Sequence, residues 1–196
     1  MSLFGSFSSR RTSKDSTART VVDVGDLPNF VLAELVNKDE IGRGGFATVF
    51  TVEFPCGGEK VVVKKFLLNE DEEETRRLVL KEAKLLNSLT HPNIVKFKGI
   101  CNDHYALLLE YMFFDFKPFD LDLNVNCLSE LLCHFDKTDC QNISKVVFYQ
   151  AASDVASGLQ YLHQKGIAHR DLKPANILVP NQHVAFDAII RLSLTN

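Results

Sequence analysis

Two β-rich runs, residues 47–54 and 60–67, stand either side of Pro55-Cys56-Gly57-Gly58. Branched and aromatic residues favour strands, and Pro and Gly mark a reversal, so the stretch predicts an antiparallel hairpin. A lone hairpin is marginally stable in water and needs further strands or a helix against its apolar face. The sequence supplies both. A short run at Glu40-Ile41 precedes the hairpin, and runs at 94–100 and 105–110 follow it. Between them, Asn69 leads into five acids, Glu70 to Glu74, and then cations from Arg76. Asn as N-cap, acids in the first turn and cations later complement a helix dipole. That helix is expected to end near Leu89, because His91-Pro92-Asn93 breaks it.

The second half reads as helix. Phe148, Ala152, Val155, Leu159 and Leu162 recur at alternating offsets of four and three, a sustained helical face. Lys165-Gly166 then supplies a C-terminal cation and a Gly cap. Strands followed by helices predict an α+β chain, and 196 residues allow one good core or two small lobes.

Charge excludes some functions. The net charge of −3 argues against a dedicated nucleic-acid binder or a polybasic membrane-surface protein. No apolar run approaches a transmembrane span, no secretory signal opens the chain, and Ser2 excludes N-myristoylation. The five cysteines, Cys56, Cys101, Cys127, Cys133 and Cys140, are odd in number and loosely spaced, which predicts reduced thiols and a cytoplasmic setting. Cys127, Cys133, His134 and Cys140 lack the short paired spacing of a zinc site. Residues 1–26 read as a disordered Ser/Thr/Arg-rich tail. Within it, Arg10-Arg11-Thr12-Ser13 fits a basic-directed phosphorylation site, and the acid-poor composition also fits a mitochondrial transit peptide.

Three features carry chemistry. The segment Ile41-Gly42-Arg43-Gly44-Gly45-Phe46-Ala47-Thr48-Val49 places glycines between two strands, where backbone N–H groups can approach a phosphate, although many such turns are only turns. Lys64 ends the apolar run Val61-Val62-Val63; it reads either as a ligand to a charged group or, like Lys65, as a snorkelling surface lysine. Glu82 shares a helical stripe with Val79, Leu86 and Leu89. A carboxylate there is costly unless paired, and Lys64 is the economical partner; the alternative is a Glu at the exposed edge of the stripe.

The string His169-Arg170-Asp171-Leu172-Lys173-Pro174-Ala175-Asn176-Ile177-Leu178-Val179 resembles the catalytic loop of the eukaryotic protein kinase family. The Gly-rich loop, strand lysine, helix glutamate, His91-Pro92-Asn93-Ile94-Val95 and Leu109-Glu110-Tyr111-Met112 follow in that family's order. The resemblance implies a two-lobe fold: an N-lobe and hinge over residues 35–112 and a partial, truncated C-lobe over 113–196. It implies Asp171, Lys173 and Asn176 as catalytic residues using ATP and Mg²⁺, with protein substrates. It implies ATP-binding roles for Ile41, Gly42, Gly44, Gly45, Phe46, Val49, Val62, Lys64, Glu82, Leu109, Glu110, Met112 and Leu178. Leu109 would be the gatekeeper, and Glu110 and Met112 would offer backbone groups to adenine. Val49, Val62 and Leu178 would sandwich the ring. His169 would pack as a spine residue, and Arg170 would pair with an activation-loop phosphate. Lys173, two residues after Asp171, resembles the Ser/Thr-specific branch, with the tyrosine-kinase-like group also compatible.

The sequence departs from that family after Val179. An Asp-Phe-Gly is expected there, and residues 180–196 do not contain one. Asp187 follows Val184-Ala185-Phe186 and is the substitute candidate for a metal ligand beside Asn176. The departure predicts weak magnesium-dependent ATP binding and no transfer by this chain alone, and it raises two alternatives: an inactive scaffold or a fragment of a longer kinase. Ala47 replaces a third Gly and Val62 replaces the usual Ala. An insertion over residues 113–126 carries Phe113, Phe114, Phe116 and Phe119 among Asp115, Asp120 and Asp122; it either covers the helical core or docks a partner. Residues 128–135 are expected to resume as helix.

Overall fold

The computed structural model describes residues 25–55, 57–68, 71–115, 124–137, 145–179 and 191–192. Residues 1–24 of the tail, the centre of the insertion and Asp187 lie outside the described residues.

Five antiparallel strands form one sheet: β1 (Val36–Arg43), β2 (Ala47–Glu53), β3 (Lys60–Phe66), β4 (Phe97–Cys101) and β5 (Ala106–Glu110). Their order is β1-β2-β3-β5-β4. The hairpin is present, with Phe50 opposite Val63 and Val52 opposite Val61. Gly57 and Gly58 take φ of 109° and 64° in its turn, which side chains other than Gly disfavour. β1 is much longer than Glu40-Ile41. Every residue of it is exposed, so no apolar alternation marks it in the sequence.

Alternation along β3 divides the sheet into two faces. Val61 and Val63 are fully buried and pack with Val52, Cys101, Ala106 and Leu108, under Phe30, Leu32, Leu35, Phe50 and Phe54. Val62 and Lys64 point to the other face, which is covered by α1 (Glu72–Asn87) through Val79, Ala83 and Leu86. Helix α1 starts later than expected. Asp71, not Asn69, is its N-cap, because the Asp71 carboxylate accepts from the Glu73 and Glu74 N–H groups at 3.0 and 3.1 Å. It ends at Asn87, two residues before Leu89.

Residues ahead of β1 also belong to the sheet. Phe30 N–H donates to the Ile100 carbonyl, and Ile100 N–H donates to the Pro28 carbonyl at 2.8 Å, so residues 28–30 lie parallel along the β4 edge. A Cβ at Gly99 would lie 3.0 Å from the Pro28 carbonyl, so a larger residue would push residues 28–30 back by a few tenths of an ångström.

The rest is mainly helical: α2 (Leu128–Lys137) and α3 (Lys145–Gln164), with the short pairs β6 (Phe114–Asp115) with β7 (Asn124–Val125) and β8 (Ile177–Leu178) with β9 (Arg191–Leu192). Helix α2 runs two residues past the expected end. Gly166, with φ of 73°, ends α3 as expected: Ile167 N–H donates to Leu162 and Gly166 N–H to His163. The buried line of α3 differs from the stripe read in the sequence. Ala151, Asp154, Gly158 and Leu162 are buried, Val155 and Leu159 are half-buried, and Ala152 is exposed. Two overlapping stripes share Leu162, and periodicity alone does not select between them. The Phe148 side chain is outside the described residues. Ala151, Leu162 and Ile177 join the α1 cluster, so one core runs through both parts. Tyr161 strengthens the junction: its hydroxyl accepts from Thr90 N–H at 2.9 Å, and its ring stacks on His91 with centroids 4.7 Å apart. Among the described residues, no helix is long and apolar enough to cross a membrane.

Candidate active site

Strand register assembles one group of candidate residues. Directly opposed residues of antiparallel strands share a face. Val49 lies opposite Lys64, and Lys64 opposite Leu107; Val62 lies opposite Leu109. Val49, Val62, Lys64 and Leu109 therefore share the face that α1 covers. Val62 and Leu178 pack against the same hydrophobic cluster, which contains Leu109.

Lys64 is paired. Its Nζ lies 2.7 Å from Glu82 Oε1, and the Glu82 side chain is only 3% exposed. This excludes the exposed-edge alternative for Glu82. Burying the pair is unfavourable for each ion separately, and the contact offsets that cost. The Nζ also stands 4.9 Å above the Phe66 ring. Tyr105, at the turn into β5, fixes the other end of α1. Its hydroxyl donates to Glu72 Oε1 at 2.5 Å. That bond, with burial adding to it, holds the Tyr105 phenol above its usual pKa. The sequence gives no local sign of this contact, because its partners lie on separate elements.

The glycine turn between β1 and β2 is closed by Gly44 N–H donating to the Ala47 carbonyl at 2.8 Å. A Cβ at Gly45 would meet nothing within 4 Å, and one at Gly44 would make only ordinary contact. Neither has a positive φ. The fold does not itself demand glycine at these positions, which is what a cradle left open for a ligand looks like. Ile41 and Phe46 are exposed beside the turn. Arg43 hydrogen-bonds Glu40 and holds its carboxyl below the usual range.

The second group lies in one loop. Asp171 Oδ2 accepts from Asn176 Nδ2 at 2.9 Å and meets Lys173 Nζ at 2.8 Å. Asn176 Nδ2 also donates to the Asp171 carbonyl at 2.8 Å. Arg170, with φ of 65°, makes the sharp bend that brings Asp171 round, and its side chain is exposed. His169 is buried. A carboxylate, an ammonium and a carboxamide thus converge on one point.

Between the two groups, Glu110 N–H donates to the Lys96 carbonyl, and Glu110 Oε1 accepts from Lys96 N–H. The Met112 carbonyl accepts from Asn126 Nδ2 at 2.8 Å. Asn126 received no role in the sequence reading, because its partner lies on the far side of the insertion. The ends of that insertion pair with each other, Phe114 opposite Val125 and Asp115 opposite Asn124.

Mg²⁺ takes near-octahedral oxygen ligands. The described residues contain no group of three or more His, Cys, Asp or Glu able to hold a metal. They offer Asn176 and the Asp171 carboxylate, a donor set that fits an ion taking most of its ligands from phosphate and water, and does not fit an all-protein cage. Burial pushes the Cys127 thiol up, against a role as thiolate ligand. An open depression of about 900 Å³ lies along α3 beside Ser153, Ala156, Gln160 and His163, and neither group lines it.

Comparison with known proteins agrees with this arrangement. The dual specificity testis-specific protein kinase 1 of Mus musculus is 34% identical over 154 residues, covering 78% of this chain and 21% of that protein. The dual specificity testis-specific protein kinase 2 of Mus musculus is 34% identical over 155 residues, covering 78% and 24%. Cyclin-dependent kinase 9 of Bos taurus is 31% identical over 150 residues, covering 74% and 37%. The chain therefore spans only a minor part of the length of these relatives. The protein kinase domain family matches residues 35–193, and to that family this chain belongs.

Proposed function

We propose that this chain carries the ATP site and catalytic loop of a protein serine/threonine kinase. The observation that carries the reading is the convergence of Lys173 and Asn176 on the Asp171 carboxylate. Phosphoryl transfer needs positioning and charge neutralisation more than covalent chemistry. Asp171 is suited to accept the proton of an attacking hydroxyl, and Lys173 to neutralise the moving phosphoryl group. Asn176, its Nδ2 held by Asp171, is suited to offer Oδ1 to Mg²⁺, which when bound offsets phosphate charge. Lys64, held by Glu82, is suited to meet the α and β phosphates. The glycine turn gives them backbone N–H groups. Val49, Val62 and Leu178 enclose the adenine; Leu109 stands behind it, and Glu110 and Met112 supply its backbone edge.

A second reading, nucleotide binding without transfer, is favoured by residues 180–196, which contain no Asp-Phe-Gly. Asp187 is the metal-ligand candidate there. The named relatives include dual-specificity kinases, so tyrosine is a possible acceptor besides Ser and Thr.

The test has two parts. Nucleotide binding by the purified chain should fall at least about tenfold in Lys64→Arg and change little in Asp171→Ala. Equal binding in wild type and Lys64→Arg would remove Lys64 from the site. Radiolabelled phosphate incorporation into Ser, Thr and Tyr peptides then separates the readings. Incorporation into Ser or Thr that disappears in Asp171→Ala establishes the kinase. Binding without incorporation establishes the second reading, and incorporation into Tyr alone overturns the Ser/Thr assignment.

A further inference from the structure

Met112 is buried, and its carbonyl is already engaged by Asn126 Nδ2 at 2.8 Å. Asn126 itself has little freedom. Its N–H donates to Glu130 Oε2 at 2.7 Å, ahead of α2, and its carbonyl accepts from Val179 N–H at 3.1 Å, just past β8. The adjacent residue Cys127 bridges to Leu178. The pairing of β6 with β7 delivers Asn126 to this place from the far side of the insertion. One residue therefore joins the Met112 backbone through its side chain, and the start of α2 and the strand that carries Leu178 through its main chain. The two backbone bonds fix where its side chain starts, and the carboxamide itself is held against the Met112 carbonyl.

We propose that Asn126 is a specificity-determining residue of the nucleotide site, closing the Met112 carbonyl to purines with an amino group at C2. The inference rests on the reading of Glu110 and Met112 as the edge that faces the base. A purine whose N1 accepts from Met112 N–H turns its neighbouring atom, C2, toward the Met112 carbonyl. Adenine carries only C–H there and loses nothing. 2,6-Diaminopurine, which keeps the accepting N1 of adenine, carries an N–H donor there, which meets a carbonyl with another donor already seated on it. A carbonyl oxygen can accept twice, so the exclusion is steric as well as electronic. The capping carboxamide stands in contact, and its anchored main chain keeps it beside the carbonyl, so admitting the amino group costs the bond to Met112. An amino group brought there without a partner is desolvated and unsatisfied, which disfavours its binding.

The experiment compares ATP with 2-amino-ATP, which differs only by the C2 amino group. Titration calorimetry with Mg²⁺ is run on the 196-residue chain and on Asn126→Ala and Asn126→Asp. The wild-type chain is expected to prefer ATP by roughly tenfold, the scale of one unsatisfied donor. Both variants should bring that ratio to one or reverse it. Asp is close to Asn in size and keeps the backbone anchors but cannot donate to the carbonyl, so it retains the test if the Ala variant fails to fold. A merely structural role for Asn126 would weaken both nucleotides equally and leave the ratio unchanged. An unchanged ratio, or a wild-type chain that binds both equally, overturns the inference alone. Binding of neither nucleotide by the wild-type chain overturns the site reading, and the inference with it.

Discussion

Two lysine–carboxylate pairs of almost equal length occupy different parts of the molecule. Lys64 and Glu82 meet at 2.7 Å between β3 and α1, with side chains 15% and 3% exposed. Lys173 and Asp171 meet at 2.8 Å in the loop before β8, with side chains 54% and 44% exposed. Distance alone would rank them together, but burial separates them. Water screens the outer pair, so its net stabilisation is small and either member can exchange its partner for a ligand. The inner pair has little water to return to, and loss of one ion strands the other. The first fixes the position of a helix, and the second keeps two reactive groups close while leaving them available.

Breaking the inner pair should have the largest effect. Lys64→Met leaves Glu82 buried without its cation, and a loss of about 3–5 kcal/mol of unfolding free energy is expected. Urea denaturation measures it, and a loss below about 1 kcal/mol would mean that water reaches Glu82. Lys64→Met with Glu82→Leu should recover much of the stability, because two apolar groups strand no charge.

Tyr105→Phe gives an intermediate effect. It removes the bond to Glu72 at the far end of α1 from the ion pair and should cost about 1 kcal/mol. The sign of its pH dependence follows from the raised phenol pKa. The folded state holds the Tyr105 proton more tightly than the unfolded state does. The contribution is thus complete below the unfolded value of about 10 and is lost as pH rises through the folded value. Denaturation midpoints followed upward from about pH 9 should converge for wild type and Tyr105→Phe; a constant gap would exclude the hydrogen bond as the cause.

Breaking the outer pair should matter least to stability. Lys173→Met is expected to change unfolding free energy by less than about 1 kcal/mol, with the residual effect shrinking in high salt. A change as large as that for Lys64→Met would show that the loop is buried in solution.

The contrast between these pairs was half legible in the sequence. Glu82 on an apolar stripe demanded a cation, and Lys64 was within reach, so the inner pair follows from the cost of burying charge. The catalytic roles of Asp171, Lys173 and Asn176 came from resemblance, because polar residues in a loop carry no periodicity, and their mutual contact emerges only in the folded loop. β1 was mostly hidden for the reason that both its faces are exposed. The start of α1 moved to Asp71 because several neighbouring acids and an amide compete as cap, and only geometry decides which reaches the free N–H groups. Tyr105 and Asn126 act across elements, and no local pattern encodes such partners.

The segment along the β4 edge bears on the order in which the chain assembles. Asn29 sits beside Ile100, so that pairing closes a long loop, and closure entropy grows with the length of chain enclosed. The hairpin of β2 and β3 encloses only a short turn and has no comparable barrier. Residues 28–30 should therefore dock late in folding, after β4 and β5 have presented their edge. By the same reasoning they are placed to detach early, as a unit of lower local stability than the sheet they cover. Amide exchange at Phe30 would then run faster than at Leu107, and the chain ahead of β1 would sample release while the sheet stays closed.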